Sequence, residues 1–135
     1  MGGETAARLR EHPAQRFAAD EYVINLDSET DHLLQEPHAA INGHRQEAIY
    51  KHGPVTMVVF VFEAGGFLRE HVVPDGTVLI RLVDGDMTVK TPEREYRLGR
   101  NDVLVLAPGV KHDVCAVQQS RMLLTVHLKN PDSMV

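Results

Sequence analysis

The stretch Ala64–Gly76, AGGFLREHVVPDG, places a strand-forming run between two turn signals. Gly65–Gly66 closes what precedes it, and Pro74–Asp75–Gly76 closes Phe67–Val73. Successive side chains of a strand point to opposite faces, so Phe67, Arg69, His71 and Val73 are expected on one face and Glu70 on the other. If His71 points inward, Arg69 follows it, and an inward guanidinium is costly unless it meets an anion or a partner.

The same punctuation recurs on both sides. Gln46–Lys51, Val55–Glu63, Thr77–Val83, Met87–Thr91, Glu95–Leu98, Val103–Leu106, Lys111–Val117 and Arg121–Lys129 are short β-rich segments separated by turn residues, the rhythm of an all-β sandwich or barrel. Asp84–Gly85–Asp86 predicts a hairpin between the strands it joins. Val55–Phe62, VTMVVFVF, is apolar on nearly both faces, so it should lie between the interior and a second layer, supplied either by another subunit or by the same chain. Ahead of the strands, Asp31–Glu36 follows Ser28 and Thr30 and stops at Pro37, which predicts a short capped helix. Residues 1–19 read as a weakly helical or loose arm, 20–130 as the single domain and 131–135 as a tail.

The chain has 135 residues, 43% of them hydrophobic and 24% charged, with a formal charge of −5. Such a chain buries a core without staples. The acidic balance excludes a phosphate-backbone footprint, so nucleic acid is not expected as a partner. No run of about eighteen apolar residues is present, which excludes a membrane-spanning helix, and the absence of a leader pattern points to the cytoplasm. Cys115, the single cysteine, has Val114, Ala116 and Val117 as neighbours and is expected to be a small buried hydrophobe.

From Gly65 through His71, Val73 and Val78 to Gly85, the spacing resembles the first sequence motif of the cupin superfamily. Asn101–Asp102, VLVLA and Pro108–Gly109–Val110–Lys111–His112 resemble the second. The resemblance runs from about Asp20 to Lys129 and is to small single-domain RmlC-like cupins. It implies a small jelly-roll β-barrel with a short N-terminal helical segment, often a homodimer. In metal-binding cupins the first motif supplies two His and a Glu and the second a third His. By position His71 matches the first His and His112 the last, while Val73 stands at the second His and Val78 at the Glu. A register with Arg69 and His71 at the two His positions also leaves the carboxylate missing. Gly85 and Gly109 suit turns that β-branched residues avoid, and Asn101, standing where the family has Gly, tolerates a left-handed conformation.

Alternation groups Val78 with Ile80 and Leu82, and His112 with Val114 and Ala116, so Asp113 is expected on the opposite face from His112. Two function classes follow. One is a binding module that takes a small organic molecule, anions included, inside the barrel, with Arg69, His71 and His112 as polar contacts and Val73, Val78 and Ile80 as walls. The other is a metal-dependent enzyme of dioxygenase or isomerase type, in which His71 and His112 hold Fe, Mn, Ni or Zn, and water or His127 completes the shell. His12, His32, His38, His44 and His52 read as solvated, as do the turns at Pro74–Thr77 and Thr91–Glu95. No phosphate loop, Ser/His/Asp arrangement or CxxC pair is visible.

Overall fold

The structure is a computed structural model and describes residues 19–129. Of the arm expected over residues 1–19, residues 1–18 lie outside the described residues, as do residue 130 and the tail expected over 131–135.

Among the described residues, one helix, α1 (Leu26–Leu34), precedes nine strands: β1 (His44–His52), β2 (Val55–Phe62), β3 (Phe67–His71), β4 (Gly76–Asp84), β5 (Met87–Lys90), β6 (Glu95–Leu98), β7 (Val103–Leu106), β8 (His112–Ala116) and β9 (Ser120–Leu128). They form a five-stranded sheet in the order β1-β2-β9-β4-β7 and a four-stranded sheet in the order β3-β8-β5-β6, with every pairing antiparallel. From β2 onward the chain passes repeatedly from one sheet to the other, a jelly-roll path.

The expected strands are all present. The expected hairpin at Asp84–Gly85–Asp86 is not, because β4 and β5 belong to different sheets and the turn crosses the core edge. Arg97 holds Asp86 through two charge-assisted bonds of 2.5 and 2.6 Å, and the Val117 N–H donates to the Asp86 carbonyl, so this corner is tied to β6 and to the end of β8. The hairpin partner of β5 is β6 instead, through the Thr91–Arg94 turn. Gly85, Gly109 and Asn101 do take positive φ, at 114°, 85° and 70°.

Each sheet spends one face on a shared apolar interior. Phe60, Phe62, Val78, Ile80, Leu82, Leu106, Met122 and Leu124 from the larger sheet pack with Met87, Val89, Leu98, Val114 and Ala116 from the smaller. On the outer face of the larger sheet, Leu33 of α1 is buried among Ile49, Val59, Val61 and Leu123. The second layer over Val59 and Val61 of VTMVVFVF is therefore this chain's own helix.

The helix starts five residues before the expected Asp31. Asn25 is its cap, accepting the Ser28 N–H at 2.9 Å. The Thr30 hydroxyl, read from sequence as part of the cap, turns back onto the Leu26 carbonyl inside the helix at 2.8 Å. If α1 is held by Leu33, then Leu33→Ala should cost about 2–5 kcal/mol. Urea unfolding would show this as a lowered midpoint at unchanged slope.

Candidate functional site

β3 and β8 bring His71 opposite His112, but not in the way alternation predicts. Leu68 pairs with Val114 and His71 with His112, so three steps on β3 match two on β8. The extra residue makes a β-bulge at Arg69–Glu70, with Glu70 at φ 53°. A glutamate rarely takes this conformation unaided. Here the Glu70 N–H donates to Asp113 Oδ1 at 2.6 Å, a bond to a carboxylate on the outer face of the neighbouring strand.

The bulge resets the parity of the strand. Leu68 packs against the core with Val114, and His71 turns inward beside His112. Arg69 goes outward, exposed, with its guanidinium 4.2 Å from the centre of the Phe67 ring. The expected grouping of Arg69 with His71 is thus corrected, and the site loses the one cation assigned to it. His127 is corrected as well: it is exposed on the face of β9 opposite the core residues Met122 and Leu124, and does not reach the histidine pair. Val78 and Ile80 are fully buried core residues, and Val73 packs against the same core.

The two imidazoles meet edge to face, with ring centres 4.9 Å apart. Their tautomers follow from the hydrogen bonds. A carbonyl can only accept, so His112 Nδ1–H donates to the Val110 carbonyl at 3.1 Å. His112 Nε2 then accepts from His71 Nδ1–H at 3.0 Å, and His71 Nε2 is left with the lone pair of a neutral ring. His112 is 2% exposed, whereas His71 is half-buried. Burial, followed by repulsion from His112, pushes the His71 pKa down from its ordinary value. The arrangement therefore presents a neutral imidazole nitrogen that can accept a hydrogen bond or a proton, held by a buried partner anchored to backbone.

A metal of the cupin kind does not fit this donor set. The two nitrogens engage each other, the other two motif positions are Val73 and Val78, and among the described residues no group of three or more His, Cys, Asp or Glu side chains converges. Protein-held divalent ions usually take three or four such donors.

Hollows open along the surface of the sandwich among the described residues. One of about 600 Å³ at the N-terminus of α1 is lined by Arg81, Arg100 and Arg121 together with Asp27 and Asp84. A second of about 600 Å³ lies between the Thr91–Arg94 turn and the Pro108–Lys111 loop, with Tyr96, Leu106 and Val110 in its lining. A third, of about 420 Å³, shares Thr91, Pro92 and Lys111 with the second and includes His112. Sequence reasoning missed Tyr96, Arg94 and Lys111, since Thr91–Glu95 read as a solvated turn; the adjacency of Lys111 to His112 was the available signal. Cys115, expected to be buried, is exposed on the outer face beside Phe67 and Thr88, because the parity that turns His112 inward turns Cys115 out.

Two outcomes follow. Asp113→Ala should release the bulge and cost about 1.5–3 kcal/mol, with His71 ring shifts in NMR spectra moving toward those of a solvated imidazole. His71 has a lowered folded pKa, so below the ordinary value near 6.5 the unfolded chain binds the extra proton more readily. Stability should be fully present above that value and decline as pH falls through it toward the folded pKa, and His71→Gln should flatten this part of the profile of unfolding midpoint against pH.

No protein-family profile matches the chain, and no curated protein matches it. Solved structures do. A cupin superfamily protein from Desulfitobacterium hafniense is 17% identical, with 84% of this chain and 96% of that one covered at a TM-score of 0.63. An RmlC-like cupin from Shewanella frigidimarina is 16% identical, with 69% and 83% covered at a TM-score of 0.60. A recombinant oxalate oxidase in complex with glycolate is 18% identical, with 69% and 55% covered at a TM-score of 0.59. With its two antiparallel sheets, its jelly-roll path and its short leading helix, the chain has the fold of the cupin superfamily.

Proposed function

We propose that this chain is a small-molecule-binding cupin whose polar contact is the His71–His112 pair. The observation that carries the reading is the directed hydrogen-bond chain from His71 through His112 to the Val110 carbonyl, which leaves His71 Nε2 uncommitted within the pair at a half-buried position. Such a nitrogen favours a ligand that offers a hydroxyl, an acid proton or an N–H. The oxalate oxidase with the same fold is bound to glycolate, which makes small hydroxy acids and carboxylic acids the first compounds to try.

The reading differs from the sequence expectation in one respect. Arg69 points away, so any charge recognition must come from other cations near the pair, of which Lys111 is the sequence neighbour of His112.

A thermal-shift screen of small hydroxy acids and carboxylic acids, glycolate included, should find compounds that raise the unfolding midpoint. The rise should vanish in His71→Gln and shrink in His112→Gln. A hit that stabilises the wild type and both variants equally would remove the histidine pair from the account. Elemental analysis of protein purified without a metal-affinity tag tests the competing enzyme reading, and metal-free folded protein is the expected result. Near-stoichiometric Fe, Mn, Ni or Zn that disappears in a His71→Ala, His112→Ala double variant would replace the binding module with a metal-dependent enzyme.

A further inference from the structure

We infer that the cleft between the Thr91–Arg94 turn and the Pro108–Lys111 loop binds a small apolar carboxylate. The inference goes beyond the reading above: the lining of this cleft includes neither His71 nor His112, so it is a subsite of its own.

The strand order creates the cleft. β7 ends the five-stranded sheet and β6 ends the four-stranded one, so the sandwich is open along that side. Its filling there is Leu106, a buried core residue, with Tyr96 and Val110 packed against the same core. These three side chains form an apolar floor to a hollow of about 600 Å³, within the range of about 300–1,000 Å³ typical of small-ligand sites.

Both rims are fixed by hydrogen bonds. The Thr91 N–H donates to the Arg94 carbonyl at 2.9 Å, and the Arg94 N–H donates to Thr91 Oγ1 at 3.3 Å. Across the cleft, the Gly109 N–H donates to the Val73 carbonyl at 2.9 Å and the Val110 N–H to the Ala107 carbonyl at 3.3 Å. A preformed cleft costs a ligand little ordering entropy.

Charge selects the ligand class. Arg94 and Lys111 line the cleft against one carboxylate, Glu93, in a chain whose net charge is −5. Neither cation has an ion-pair partner among the described residues. Two uncompensated cations at the rim of an apolar floor complement a molecule with an apolar body and one carboxylate. The neighbouring hollow, which shares Thr91, Pro92 and Lys111, is lined by His112 and so continues the cleft toward the histidine pair.

Isothermal titration at low salt with phenylacetate and with its neutral counterpart phenylacetamide tests the assignment. Phenylacetate should bind about tenfold or more tightly than the amide, and an Arg94→Gln, Lys111→Gln double variant should lose that preference. Both positions are exposed, so the double variant should keep the wild-type unfolding midpoint. Cys115→Ser, on the outer face and outside the cleft lining, should leave phenylacetate affinity unchanged within about threefold. Absence of phenylacetate binding, or equal binding of acid and amide, would overturn the cleft. So would binding lost in His71→Gln but kept in the double variant, a result that leaves the histidine reading standing. If the cleft behaves as expected while the screen shows no dependence on either histidine, that reading fails and the cleft stands.

Discussion

Both sheets turn one face toward the same apolar interior, and the placements of the site residues follow from which side chains that interior admits. Along a regular strand, alternation assigns the faces with no freedom. β3 cannot obey alternation throughout, because it carries Leu68, Arg69 and His71 close together, and a uniform register that turned His71 inward would also bury Arg69. A buried guanidinium without an anion is far more expensive than one bulge. The chain takes the bulge: Glu70 adopts a left-handed backbone, Asp113 stabilises it from the next strand, Leu68 and His71 go in, and Arg69 lies over Phe67. Two further departures from register occur, one in β1 between Ala48 and Tyr50 and one between Leu82 and Asp84, where β4 meets the start of β9 and the chain prepares to cross to the other sheet.

What the sequence showed and what it hid divide along the same line. The strands were legible because runs of Val, Leu, Ile and Phe stand between turn residues, and the turns at Gly85, Asn101 and Gly109 were legible because few other residue types tolerate those angles. The bulge was not, since a glutamate gives no local sign that it will adopt positive φ; the sign is Asp113, distant in sequence and adjacent only in the sheet. The helix start was misplaced because Asn25, Ser28 and Thr30 are all capping residue types, and only the fold shows which hydroxyl bends back into the helix. Cys115 was legible in principle, for the alternation that groups His112, Val114 and Ala116 already turns it outward. Its apolar neighbours Val114, Ala116 and Val117 suggest burial, but it is the parity that places it. Which face of β9 is inner could not be known from Ser120–Leu128 alone, as both faces carry apolar residues: Met122 and Leu124 meet the sheet opposite, while Leu123 meets the helix.

The histidine pair sits against an interior whose buried lining, among the described residues, is hydrocarbon. A carboxylate at Val78 would need a cation or a metal beside it to be tolerated there. With valine at that position the interior closes as hydrocarbon, and the two imidazoles satisfy each other in a fixed donor order that ends on the Val110 carbonyl. That end point matters because Val110 has two tasks. Its carbonyl fixes the orientation of His112, and its side chain belongs to the floor of the cleft beside Leu106 and Tyr96. A displacement of the Pro108–Lys111 loop would therefore move the anchor of the histidine pair and the wall of the cleft together. The two sites are linked through one residue's backbone and side chain, with no need for a longer path through the core.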